Sequence, residues 1–178
     1  TIPYFDGGAS ISRTARPYPS WLVFKPAMFL TSFLLIKYWL FNKAIASSFE
    51  KNHKYINKFV FFGIASAIAL TVHSIFLGIK FDNDFYKLFR RVVMLMFIIF
   101  EIVAQAYLVA TLYSFKDKLS KYINKTYLTL KLYLVSILIV VAVISVPIIS
   151  LPGNNFLGFS VKFFKHGLEW NYFIGVIT

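Results

Sequence analysis

The chain of 178 residues contains no cysteine, so disulfides, thiolate metal sites and a cysteine nucleophile are all excluded. Charge is also scarce. Only 15% of residues are charged, against about 25% in a soluble domain. Such a chain cannot cover a water-facing surface of ordinary polarity, so its length is not read as one soluble domain. Acids are rarest, with 7 Asp and Glu against 19 Lys and Arg. Catalytic and nucleotide signatures are missing too. Ser66, Ser74, Ser136 and Ser145 stand in apolar stretches but none in a Gly-x-Ser-x-Gly turn, and Walker loops and dinucleotide glycine patterns are absent. No cofactor is implied. With no His-Glu-x-x-His pattern and no two histidines at helical spacing, no metal site is assigned.

What the chain does have is long apolar runs. Residues 21–41, 59–79, 92–115 and 132–151 each reach the roughly 20 residues that a helix needs to cross the hydrocarbon core. A fifth run, 167–178, turns apolar and then stops. The 21 Phe and 11 Tyr suit lipid-facing and interfacial positions. The fold expected is all-α: a polytopic transmembrane helical bundle, four complete spans plus a truncated fifth, in a single transmembrane domain over 1–178. Residues 1–20 read as an extramembrane loop, with a turn at Asp6-Gly7-Gly8 and prolines at 17 and 19. The first residue is Thr1 and no cleavable signal peptide is visible, so both ends read as cuts in a longer protein. Pro26 falls in the first turns of the first span, and Pro147 predicts a kink near the end of the fourth. In the second span Gly63, Ala67, Thr71, Ser74 and Gly78 form a small-residue stripe, read as a close-packing face.

A net charge of +12 would suggest nucleic acid in a soluble protein. Here the basic residues fall between the apolar spans, which makes membrane lipids the partners and excludes nucleic acid. Short connections alternate sides. Side A holds 1–20, 80–91 and 152–166, and side B holds 42–58 and 116–131. Counting span ends, side B carries ten lysines against five lysines and four arginines on side A, a small bias toward a cytoplasmic side B. The kind of base separates the sides better. Every Arg is on side A, and side B has only Glu50 and Asp117 as acids. Arg offers phosphate a planar fork, so Arg13, Arg16, Arg90 and Arg91 are the expected lipid head-group ligands.

Glu101 is the sharpest single residue. An ionisable group at mid-bilayer costs at least about 2.5 kcal/mol on insertion scales, so it is a functional candidate facing the bundle interior. The plain alternative is a protonated Glu hydrogen-bonded to a neighbouring helix as packing glue. Gln105 stands one turn away. His73 lies in the side-A half of the second span, where antiparallel neighbours are expected to bring it toward Glu101. With His166 and Glu169 at the side-A start of the last run, these residues contain the ligand types of a metal site or a proton relay. Glu101, His73 and Glu169 are therefore the catalytic candidates.

Two stretches carry a resemblance to a known family. Pro3-Tyr4-Phe5-Asp6-Gly7-Gly8 is followed by Pro19-Ser20 and a span, and Leu168-Glu169-Trp170 opens the last run. Together they resemble the damage-regulated autophagy modulators and their relatives, which include GPI-anchor lipid-remodelling proteins. Family members lack the basic insertion at 10–16 and carry a Ser before the Asp. The resemblance implies six spans, of which this chain would hold the second to sixth. It also implies an endomembrane or plasma-membrane location, a link to lipid handling, and a lumenal or extracellular side A.

The leading expectation is a membrane protein that binds or remodels lipid through a head-group site on the non-cytoplasmic side. The rival is a non-catalytic accessory subunit, with partner subunits in a larger membrane complex. A proton-coupled transporter using Glu101 and His73 is a third reading, opposed by small size and lack of repeats.

Overall fold

A computed structural model describes residues 18–77, 84–119, 121–122, 124–150, 155–156, 159–160 and 167. Its helices are α1 (Ser20–Phe49), α2 (Ile56–Phe76), α3 (Asp84–Ser114), the one-turn α4 (Lys116–Leu119) and α5 (Lys125–Ser150). A two-residue antiparallel pairing, β1 (Asn155–Phe156) with β2 (Phe159–Ser160), follows. The architecture is all-α, and α1, α2, α3 and α5 are long and apolar enough to cross a membrane. The expected fifth span lies outside the described residues apart from Gly167.

Most helices overrun the apolar windows, whereas α2 ends at Phe76, short of the expected end at 79. α1 continues past Phe41 to Phe49, and α3 begins at Asp84 rather than Val92. Hydropathy reports the length inside hydrocarbon, whereas a helix continues into the interface wherever its backbone ladder is not interrupted. Side-chain bonds mark several ends. The Thr126 amide donates to Asn124 Oδ1 at 3.0 Å, making Asn124 the N-cap of α5. Asp84 places an acid in the first turn of α3, where the helix dipole favours it. α5 runs on through Pro147 to Ser150.

The chain divides into two compact units. The larger, Val23–Ser136, holds nearly all of α1, all of α2, α3 and α4, and the start of α5. The smaller, Thr1–Leu22 with Ile137–Thr178, holds the rest of α5 and the β1–β2 pairing.

Within the larger unit α2 is the central helix. Its buried residues cover a broad face, whereas those of α1, Ser32, Trp39 and Ala46, recur every seven residues as a narrow seam. One core cluster joins the three helices: Trp39 and Ala46, Ile56, Phe59 and Val60, Ala104 and Leu108. The small-residue stripe of α2 packs against helices. A Cβ on Gly63 would collide with the Trp39 ring, so only glycine admits the indole there. One turn on, Ser32 donates to the Ala67 carbonyl at 2.7 Å and lies 2.6 Å from the Thr71 hydroxyl. Ser74 is fully buried, and Gly78 is outside the described residues. Side chains such as Phe29, Phe33, Leu34 and Ile99 remain exposed, as a hydrocarbon solvent allows.

Both ends of the α2–α3 pair are closed by aromatic groups. At the side-B end Phe115 stacks on Phe49 with ring centroids 5.8 Å apart and meets His53 edge-on at 5.1 Å. At the side-A end Tyr86 donates to the Phe76 carbonyl at 2.8 Å, and Phe89 packs edge-on against Phe76 at 5.3 Å. The turn 50–55 and the α3–α4 junction therefore share one side, as the alternation of short connections requires.

Candidate functional site

Glu101 is buried between helices at mid-length of α3. The antiparallel register of α2 and α3 sets it opposite Ser66. The Ser66 hydroxyl donates to Oε2 at 2.7 Å, and the Gln105 amide, one turn along α3, donates to Oε1 at 3.1 Å. α1 contributes Trp39, whose buried indole N–H stands beside the same carboxyl without closing a hydrogen bond of good geometry. α5 contributes Lys131, whose positive charge acts on the carboxyl and whose Nζ donates to the Tyr38 hydroxyl at 3.3 Å. Three helices thus meet around one acid, with the charge of Lys131 from α5 acting on it from outside.

The Ser66 oxygen lies 2.8 Å from the Gly63 carbonyl as well as 2.7 Å from Glu101. A hydroxyl carries one proton. If it serves Gly63, Glu101 must itself donate through Oε2, leaving Oε1 to accept from Gln105. If it serves an ionised Glu101, the Gly63 carbonyl gives up its extra partner. Both arrangements satisfy the carboxyl inside the bundle, and the pair can hold or release one proton without moving a heavy atom.

Sequence reading placed His73 near Glu101, and the structure corrects this. His73 is buried beside Arg90, in reach of its backbone carbonyl and in the field of its guanidinium. Arg90 and Glu101 are eleven residues apart on α3, or about 16 Å at 1.5 Å per residue. The antiparallel register pairs Ser66 with Glu101, and the seven residues from Ser66 to His73 carry the imidazole about two turns toward side A. Arg90 is also not at a loop exit, because α3 starts early. It sits in the second turn, with its guanidinium 6.0 Å from the centre of the Tyr86 ring. Arg13, Arg16, His166 and Glu169, and the side chain of Arg91, lie outside the described residues. Among the described residues no group of three or more His, Asp or Glu is arranged to hold a metal ion.

Sequence reading missed Trp39, Tyr38 and Lys131 as members of this site, and noted Ser66 only as lacking a nucleophile turn. One signal was available. An acid with an amide at i+4 asks for a donor from the next helix, and Ser66 is the hydroxyl at matching depth on α2. Lys131 gave no such signal, since a lysine at a span end reads as a snorkelling anchor.

No family model matches the chain, and no curated protein or solved structure matches it.

Proposed function

We propose that the protein is a non-catalytic, membrane-embedded subunit that works by helix-to-helix binding in a larger membrane complex. The observation that carries this is the closure of the Glu101 centre. Both carboxyl oxygens are engaged by Ser66 and Gln105, and the small-residue face of α2 is filled by Trp39 and Ser32 from the same chain. Polar groups used in this way hold helices in register, the role such groups have in membrane bundles. They engage both oxygens of the acid with groups of its own chain. The first half of α5 has no buried residue between positions 125 and 136, so its apolar surface is available to a neighbouring subunit. Extraction with the surrounding membrane, followed by mass determination, tests the proposal. A second protein in fixed stoichiometry is expected, retained in a Glu101→Gln variant. A chain accompanied by lipid alone, with a turnover that Glu101→Gln abolishes, overturns it.

The lipid-handling reading has one observation in its favour. Arg90 is half-buried in the second turn of α3, held over Tyr86 beside His73. Arg91 follows it, and the resemblance to the autophagy-modulator family points the same way. Native mass spectrometry of an Arg90→Lys/Arg91→Lys variant decides. Bidentate recognition of phosphate would be weakened by lysine, and equal retention of anionic lipid removes the side-A site.

A further inference from the structure

We propose that side B carries a head-group site for a phospholipid bearing a primary ammonium, formed where Glu50, His53, Ser114, Phe115, Asp117 and Lys118 meet. These residues line a cavity of about 230 Å³ between the turn after α1 and the α3–α4 junction. Drug-sized ligands occupy roughly 300–1,000 Å³, so this space suits a head group rather than a larger molecule. It lies at the ends of helices long and apolar enough to span a membrane.

Charge picks out the place. The side-B stretches carry ten lysines and only two acids, Glu50 and Asp117, and both acids line this one cavity. So does the only histidine of that side, His53. A surface otherwise suited to anions is locally suited to a cation here. Phe115, 4% exposed, forms an aromatic wall fixed by Phe49 and His53. An ammonium beside Glu50 and Asp117 gains charge-assisted hydrogen bonds. The donor for the adjoining phosphate is Lys118, since the Ser114 hydroxyl already donates to the Thr111 carbonyl at 2.7 Å. His53 Nε2 lies 3.2 Å from Ser114 Oγ, and His53 Nδ1 is buried without a hydrogen-bond partner in the protein. A buried polar atom of this kind calls for a partner from outside the chain.

Carboxylates accept N–H hydrogen bonds, which a primary ammonium offers and a quaternary one does not. Phosphatidylethanolamine should therefore outrank phosphatidylcholine. Phosphatidylglycerol, whose phosphate has no ammonium beyond it, should rank last at this cavity. The site is independent of the subunit reading, because none of its residues belongs to the Glu101 centre.

The test uses the full chain in lipid nanodiscs with a phosphatidylcholine matrix containing either phosphatidylethanolamine or phosphatidylglycerol, read by native mass spectrometry. Wild type is expected to retain phosphatidylethanolamine several-fold over the other two. Glu50→Gln/Asp117→Asn should lose that preference and gain phosphatidylglycerol, since it removes two negative charges from a basic face. Lys118→Gln should lower retention while keeping the ammonium preference, and Lys43→Gln should change neither. Glu50 and Asp117 are exposed, so circular dichroism of the double variant should match wild type. Equal retention of the three lipids by wild type, or an unchanged preference in the folded double variant, overturns the proposal. Displacement of the lipid by millimolar soluble phosphoethanolamine would assign the cavity to a free zwitterion and overturn the lipid assignment. Persistence of the lipid supports it.

Discussion

Ser66 of α2 and Glu101 of α3 are joined by a 2.7 Å hydrogen bond across the interface of two helices apolar enough to span a membrane. An interhelical bond in a membrane averages about 0.6 kcal/mol and reaches about 1.7, because the separated helices also find partners. The contact is therefore a modest source of stability and a strong source of register.

Replacing Glu101 tests how its partners are served. Glu101→Gln keeps a carbonyl for Gln105 and an amide that can bond Ser66, so thermal stability in nanodiscs should change little. Glu101→Leu removes the acceptor of the Gln105 amide. Ser66 can still bond the Gly63 carbonyl, so the loss falls on Gln105 and should be about 1–3 kcal/mol. Equal destabilisation by Gln and Leu would contradict the hydrogen-bond account.

The Trp39–Gly63 contact predicts a non-additive pair. Gly63→Ala places a methyl group inside the space of the indole and should cost about 1–3 kcal/mol through overpacking. With the smaller ring of Trp39→Phe the same methyl should be nearly neutral. A double-mutant cycle on unfolding measures the coupling, and additivity would show that α1 shifts aside instead.

Because the chain has no native cysteine, single cysteines report topology cleanly. Lys51 and Lys121 are both exposed, and the connections that carry them lie at the same end of the α2–α3 pair. Cysteines at these two positions should behave alike toward an impermeant thiol reagent in intact cells. Protection of both places side B in the cytoplasm. Labelling of both reverses the orientation, and a split result breaks the antiparallel arrangement.

Lys131 of α5 and Tyr38 of α1 share a 3.3 Å hydrogen bond. Lys131→Met should reduce cross-linking between cysteines placed on facing turns of these helices, with a stability change within about 1 kcal/mol. Tyr38→Phe should reproduce it. An unaffected cross-link yield would mean that apolar packing alone sets α5.

The spans were legible in the sequence because hydrocarbon thickness sets a length that an apolar run must meet. Helix ends were less so: α3 begins at Asp84 because charged residues in the interface stay helical, and hydropathy does not see them. At the site, Glu101 was visible from the cost of placing an acid at that depth, and the small-residue face of α2 from its spacing. Its partners were not, because they depend on vertical register. Shifting α2 against α3 by two turns would have set His73, rather than Ser66, beside Glu101. Nothing in either segment read alone fixes that offset. Packing of Phe59 and Leu108 in the shared core does.

Helices that enter a membrane one at a time must afterwards find their vertical alignment. The notch at Gly63 acts as a gauge for that search. A slip of α1 by one turn, about 5.4 Å, would bring the Trp39 indole against the Phe59 side in one direction and the Ala67 methyl in the other. Neither position is a glycine, and either slip parts Ser32 from the Ala67 carbonyl. The chain thus carries its own check on assembly, in which a misaligned pair stays visibly open and only one alignment lets the two helices close.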